Sequence, residues 1–99
     1  MAELTGKQKQ YLKGLAHPLS PVVRAGKGGV NEGVIAETKK ALDAHELIKV
    51  RVDIEDSTDR KDAAKSLANA ADAELVGTVG KIAVLYRERA EDPDIKLPE

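Results

Sequence analysis

Ile48, Val50, Val52 and Ile54 alternate without a break with Lys49, Arg51 and Asp53. Side chains of an extended chain point to opposite faces at each step, so this pattern predicts a β-strand over residues 47–54 with one apolar and one charged face. A lone strand of this kind is not stable in water; it needs partner strands and a layer over its apolar side. The remainder of the chain must therefore supply both. Lys49 and Arg51, on the charged face, are left for water or a partner.

The segments around this strand read as helices. Residues 31–44 place Val34, Ile35, Thr38, Ala41 and Leu42 on one side at helical spacing, and Glu37, Lys39, Lys40 and Asp43 on the other. Asn31 opens that helix. Residues 59–71 form another, with Asp59 as its cap and Ala63, Ala64, Leu67, Ala70 and Ala71 inward; so many alanines imply a close approach to the sheet. A first helix covers residues 5–16. Thr5 caps it and Gln8, three residues on, completes a capping box. Tyr11, Leu12, Leu15 and the stem of Gln8 make its buried face, with Lys9 and Lys13 opposite and Lys7 flanking. Pro18 and Pro21 bar its continuation.

Shorter strands are expected over residues 22–25, 74–79 and 81–86, the last two joined across Gly80-Lys81 in a two-residue hairpin. The order is α-β-α-β-α-β-β. Two strand–helix–strand crossovers predict mostly parallel neighbours, and the hairpin adds an antiparallel strand. The expected fold class is α/β: one domain spanning residues 1–99, with a mixed four-stranded sheet and three helices. Its core lies at about 4–87, and a charged tail over 88–99 wraps the domain or frays.

Composition narrows the function classes. With 41% hydrophobic and 33% charged residues the chain is globular in character. Cysteine is absent, which removes disulfides, thiolate metal sites and thiol nucleophiles. No apolar run approaches the ~20 residues of a membrane span, and no signal-peptide core stands at the N-terminus, so the expected location is cytoplasmic without membrane contact. The formal charge of −1 is unevenly spread. Through Gly29 there are 5 basic residues against Glu3 alone; from Val30 onward there are 11 basic and 16 acidic ones. A local polyanion-binding face near the N-terminal third fits this asymmetry.

That third ends in Ala25-Gly26-Lys27-Gly28-Gly29-Val30-Asn31, between the first short strand and the second helix. Three glycines in four residues free the backbone so that amide N–H groups can point outward together. The following helix adds its unpaired first-turn N–H groups and the positive end of its dipole. With Lys27 inside the loop, the stretch can seat a phosphate. The same stretch also suits a plain tight turn.

Enzymatic chemistry finds little support. His17 and His45 stand 28 residues apart with no metal-ligand spacing, and His45 falls on the apolar side of its helix. No H-E-x-x-H and no G-x-S-x-G occurs. Asp53, Glu55, Asp56 and Asp59 lack the glycine of a calcium loop, since Thr58 stands at its sixth position. Asn31 replaces the third glycine of a dinucleotide fingerprint, and no Walker pattern is present. No catalytic residue, metal or cofactor is therefore expected. With two tyrosines and neither Phe nor Trp, recognition of nucleic acid would run through backbone phosphates and shape instead of base stacking on the sheet.

Gly6-Lys7-Gln8-Lys9-Gln10, Leu15-Ala16-His17-Pro18-Leu19, Gly26-Lys27-Gly28-Gly29-Val30 and His45-Glu46-Leu47-Ile48-Lys49-Val50 together resemble the successive signatures of CRM domains, named for chloroplast RNA splicing and ribosome maturation. The likeness is greatest to stand-alone bacterial YhbY-like proteins. It runs over nearly the whole chain, including Gly80-Lys81 and Ile95-Lys96-Leu97-Pro98. The resemblance implies a fold like the C-terminal domain of translation initiation factor three, and binding of rRNA in precursors of the large ribosomal subunit. It carries the family's GxxG loop onto Gly26, Lys27, Gly28 and Gly29, and its basic helix onto Lys7, Lys9 and Lys13. Lys49, Arg51 and Lys81 are expected as outer contacts. Ser20 stands where relatives commonly have lysine, which removes one charge from that corner. A monomer without DNA specificity is expected; the alternative is a protein-interaction module in which the glycine loop is only a turn.

Overall fold

A computed structural model describes residues 4–26 and 28–98. The order is α1 (Gly6–Ala16), β1 (Val23–Ala25), α2 (Glu32–His45), β2 (Leu47–Val52), α3 (Ser57–Ala70), β3 (Glu74–Val79) and β4 (Ile82–Tyr86). Three helices and a mixed four-stranded sheet form an α/β domain, as the sequence predicts. Local signals account for most of the boundaries. Thr5 and Gln8 form the reciprocal capping box, with the Thr5 hydroxyl accepting the Gln8 N–H at 3.1 Å. Asn31 caps α2 through a bond from the Val34 N–H at 3.0 Å. At α3 the cap is Asp56, not Asp59: the Asp56 carboxylate accepts the Asp59 N–H at 2.9 Å, and the helix begins two residues earlier than expected. Both residues suit a cap, since each stands three positions ahead of an acidic residue (Asp59 or Asp62), and Asp56 holds it.

The strand order is β1-β2-β4-β3. β1 and β2 are parallel, whereas β2–β4 and β3–β4 are antiparallel. This corrects the expectation of mostly parallel neighbours. The hairpin partner β4 inserts between β2 and β3, so the strands joined through α3 run the same way without touching. Central placement suits β4, whose Ala83, Val84, Leu85 and Tyr86 are all buried.

The two faces of the sheet are covered by different helices. α2 and α3 share a core with Val23, Ile48, Val50, Val52, Ala83 and Leu85. α1 packs on the opposite face, where Leu12 and Ala16 meet Leu47, Val76, Val84 and Tyr86. In α1 the buried side chains are Leu12 and Ala16, while Tyr11 and Leu15 stay 43% and 38% exposed, so the predicted face is rotated toward Ala16. In α3 the inward residues are Ala64, Leu67, Ala68 and Ala71, not Ala70, because contact with the sheet follows the i, i+3, i+4, i+7 rows. The charged face of β2 is therefore half covered: α1 lies over its Leu47 end and leaves its Arg51 end open.

The tail wraps. Residues 87–98 carry no helix or strand, yet Ile95 and Leu97 pack beside the α1 cluster and the Gln8 amide donates to the Pro98 carbonyl at 3.0 Å. Arg87 bridges α2 and α3 through the Lys39 and Ala71 carbonyls and an ion pair with Asp43.

Candidate nucleic-acid interface

The glycine loop leaves β1 at the end of the sheet where β2 gives way to Asp53, whose N–H donates to the Ala25 carbonyl at 2.9 Å. Lys27 lies outside the described residues. Within the loop, the Gly29 N–H turns back onto the Gly26 carbonyl at 2.9 Å, and Gly29 adopts φ +74°. The expectation that Gly28 and Gly29 both point their amides outward is thus corrected: closing the turn uses the Gly29 donor. Gly28 is exposed, and its N–H has no backbone partner among the described residues. A Cβ placed on Gly26 or Gly28 would meet nothing within 4 Å, and neither has the positive φ found at Gly29. Turn geometry asks for glycine only at Gly29; at 26 and 28 what glycine supplies is bare backbone. The first turn of α2 follows, with Glu32 as an acidic neighbour that weakens the local positive field.

Next to the loop, register aligns a row of side chains on the α1 face. Arg24 of β1 pairs with Arg51 of β2, Arg51 with Ile82 of β4, and Ile82 with Val79 of β3. Arg24 and Arg51 both turn their Nε toward one carboxylate: Arg51 donates to Asp53 Oδ1 at 2.7 Å, and Arg24 to Oδ2. These bonds, from Arg51 and then Arg24, hold the Asp53 carboxyl below its ordinary range. Two guanidinium charges and one carboxylate leave this trio a net single positive charge. Lys49, one step down the strand, donates to the His17 carbonyl at 3.1 Å and so anchors the end of α1. Lys81, at the hairpin tip, is bound to Glu55 at 2.8 Å and depresses that carboxyl's pKa. Its charge is largely offset.

The predicted residues therefore divide. Gly26, Gly28, Gly29, Arg51 and Lys81 gather at one end of the sheet. Lys49 and Lys13 lie further along the α1 face, where the Lys13 chain crosses Gly77 so closely that a Cβ there would sit 2.6 Å from its Cε. Lys9 is elsewhere. It borders a hollow with Lys65, Asn69 and Glu74, and Glu74 pairs with Tyr86 at the far end of the sheet. Lys7 stands in the first turn of α1, two residues before Lys9. Of the first helix's lysines, Lys13 borders the surface that continues from the loop, whereas Lys9 borders a different hollow.

Arg24, one of the five basic residues up to Gly29, stands at the site although it is not singled out in the sequence analysis. The available signal is a cation between the inward Val23 and Ala25, on the strand that feeds the loop. His45 is exposed at the end of α2 and borders an apolar groove with Leu15, Leu19 and Val22. Among the described residues no group of three or more His, Cys, Asp or Glu side chains could hold a metal ion, and no helix is long and apolar enough to cross a membrane.

Known proteins share this arrangement over almost its full length. A relative in Bacillus subtilis, named Probable RNA-binding protein YqeI, is 45% identical over 95 residues, covering 96% of this chain and 99% of that one. One in Haemophilus influenzae, named RNA-binding protein, is 47% identical over 98 residues, covering 99% and 98%. The solution structure of the hypothetical protein SAV1595 from Staphylococcus aureus superposes with a TM-score of 0.87 at 45% identity, covering 97% of this chain and all of the other. The model of the CRS1/YhbY (CRM) domain matches residues 4–87. With the GxxG loop set between a parallel strand and α2, and with the matched span running from the capping box of α1 to the end of β4, this chain belongs to the CRS1/YhbY (CRM) domain family.

Proposed function

We propose that the chain is a non-catalytic, cytoplasmic RNA-binding protein that acts as a monomer in assembly of the large ribosomal subunit, holding structured rRNA by its backbone phosphates. The observation that carries this reading is the meeting, at one end of the sheet, of the glycine loop with Arg24 and Arg51. Gly26 and Gly28 are glycines that no packing or φ constraint demands, beside guanidinium groups whose terminal nitrogens have no partner among the described residues. Lys27 would supply a further charge from within the loop, Lys49 and Lys13 would extend the surface along the α1 face, and Lys81 would contribute at its margin. Lys9, which borders a different hollow, would make a separate contact, with Lys7 two residues before it. The names of the relatives and the family support RNA as the partner.

Binding to fragmented ribosomal RNA tests this. Engagement of about four phosphates gives a slope of log affinity against log salt of roughly −3 to −4, and Lys27→Glu weakens binding to all sequences alike. An affinity that does not change with salt refutes the reading. Co-sedimentation of the protein with large-subunit precursors, lost in Lys27→Glu, tests the assembly role.

One observation favours the interaction-module reading. Leu15, Leu19 and Val22 remain 38%, 40% and 53% exposed around a groove completed by His45, Leu47 and Ile95. A protein partner that survives nuclease treatment would support it.

A further inference from the structure

The open end of the α1 face holds more than charge. Beside the arginine pair lies a half-enclosed hollow of about 300 Å³ bordered by Lys13, His17, Lys49, Val79, Ile82 and Val84. That is the lower end of the range for small-ligand sites. Its floor is apolar and its rim cationic. Val79, at 74% exposure, is the most exposed large apolar side chain among the described residues, and it has no packing role that would explain it. Cross-strand partners on one face stand side by side, so Arg51 adjoins Ile82 in the hollow's wall and Arg24 adjoins Arg51.

The groups around the hollow are fixed in place. Asp53 takes the Nε–H of both arginines, and the terminal nitrogens of each guanidinium, without a partner among the described residues, can make an end-on, two-point contact with an anion. Lys49 is tethered to the His17 carbonyl at 3.1 Å, and Lys13 lies flat because residue 77 is glycine. An apolar slot next to a phosphate-type anion site complements a molecule that is planar and weakly polar at one end and anionic at the other.

We infer that this corner is a subsite for one unpaired nucleotide of bound RNA, its phosphate on Arg24 and Arg51 and its base in the hollow between Lys49 and Val79. The inference rests on the RNA reading above and deepens it. A phosphate grip alone ignores base identity and pairing; a slot for a base selects RNA with an unstacked nucleotide. No aromatic ring lines the slot, so the base is held by contact with Val79, Ile82 and Val84 and by the lysine chains at the rim.

Two experiments test it on the full chain. In the first, isotope-labelled protein is titrated with AMP and, separately, with ribose 5-phosphate, observing the arginine Nε–H and the valine and isoleucine methyl signals. Both ligands shift Arg24 and Arg51, and AMP alone shifts the methyls of Val79, Ile82 and Val84. Arginine shifts without AMP-specific methyl shifts overturn the base slot, and no shift with either ligand overturns the whole subsite. In the second, Val79→Glu and Arg24→Lys are compared with the unaltered protein for binding to fragmented ribosomal RNA. Both residues are exposed, so both variants fold. Each weakens binding about tenfold, the order expected for loss of one base contact or of one two-point grip. If the unaltered protein binds and both variants bind equally well, the subsite falls while the RNA reading stands. If the unaltered protein does not bind RNA but AMP gives the expected shifts, the RNA reading falls, and the site is one for free nucleotides instead.

Discussion

Glu46 Oε1 accepts the backbone N–H of Ile95 at 3.0 Å, joining the residue after α2 to a point 49 residues further along the chain. The same oxygen accepts the Asp94 N–H at 2.7 Å, and Oε2 accepts that of Arg89 at 2.8 Å. Glu46 is fully buried, and its own N–H and C=O are bonded to Leu42 and Arg87. It also holds φ +60°, ψ −43°, close to the rare γ-turn conformation. One carboxylate thus replaces the strand or helix that the tail lacks, and places Ile95 against α1.

Removing that carboxylate strands three backbone donors. Glu46→Ala is expected to cost about 3–5 kcal/mol and Glu46→Gln, which keeps the shape, about 2 kcal/mol, measured by urea denaturation. Amide exchange at Asp94 and Ile95 accelerates in both. Protected amides at 94 and 95 in a folded Glu46→Ala protein would contradict the clasp.

Acid loosens the same clasp. Burial pushes the Glu46 pKa up, but the N–H groups of Arg89, Ile95 and Asp94 and the Arg89 guanidinium together outweigh it, leaving the pKa below the ordinary 4.5. A depressed carboxyl stabilises the fold fully above its unfolded value, and that stability drains away as pH falls from about 4.5 through the folded pKa. Stability measured from pH 6 downward falls in this window, and Glu46→Gln flattens the slope.

Tyr86 sets the alkaline limit. Its ring is buried, its hydroxyl has no hydrogen-bond partner among the described residues, and desolvation, with smaller effects from Glu46 and Glu88, raises its pKa to about 12 from 10.0. A raised pKa gives stability that is intact below pH 10 and lost as pH rises toward 12. Tyr86→Phe removes this alkaline loss. At neutral pH it leaves stability unchanged or higher by up to about 1 kcal/mol, because an unpaired buried hydroxyl is gone. A clear destabilisation at pH 7 would show that the hydroxyl is partnered in solution.

Arg87 is the corresponding tie on the other side of the sheet. Its bonds to the Ala71 carbonyl at 3.0 Å and the Lys39 carbonyl at 3.3 Å, with the Asp43 ion pair, join the ends of α3 and α2. Arg87→Ala is expected to lower stability by about 2 kcal/mol, seen as a drop in thermal midpoint, and Arg87→Lys recovers little because one ammonium cannot span these acceptors.

In the glycine loop, Gly29→Ala forces an alanine into φ +74° and costs about 1 kcal/mol. Gly28→Ala meets nothing within 4 Å and leaves stability unchanged within about 0.5 kcal/mol. RNA affinity reverses the order: Gly28→Ala, which crowds the exposed amide, weakens binding more. Equal affinity of Gly28→Ala and the unaltered chain would reduce the loop to a turn.

Alternation along β2, the Thr5–Gln8 box, the Asn31 cap and the Gly80-Lys81 hairpin were legible because each depends on neighbours within a few residues. Local information of this kind sufficed for the element order, the α/β class and the apolar sides of α2 and β2. Where two candidates satisfied the same local rule, as with Asp56 and Asp59, or Ala68 and Ala70, the rule could not choose; for the alanines, burial against the sheet did. Sheet order escaped for a related reason: a crossover dictates that β2 and β3 run the same way, not that they touch, and β4 came between them.

Lys9 and Lys13, one turn apart on α1, border different hollows, whereas Arg24 and Arg51 meet because strand register aligns them. Glu46 is an ordinary acidic residue until the tail folds over it. Composition and periodicity are properties of stretches of chain, and they determined what this protein is made of. Which charges share a surface, which carboxylate is buried and where a hollow opens depend on contacts between residues remote in sequence, and only the tertiary structure decided them.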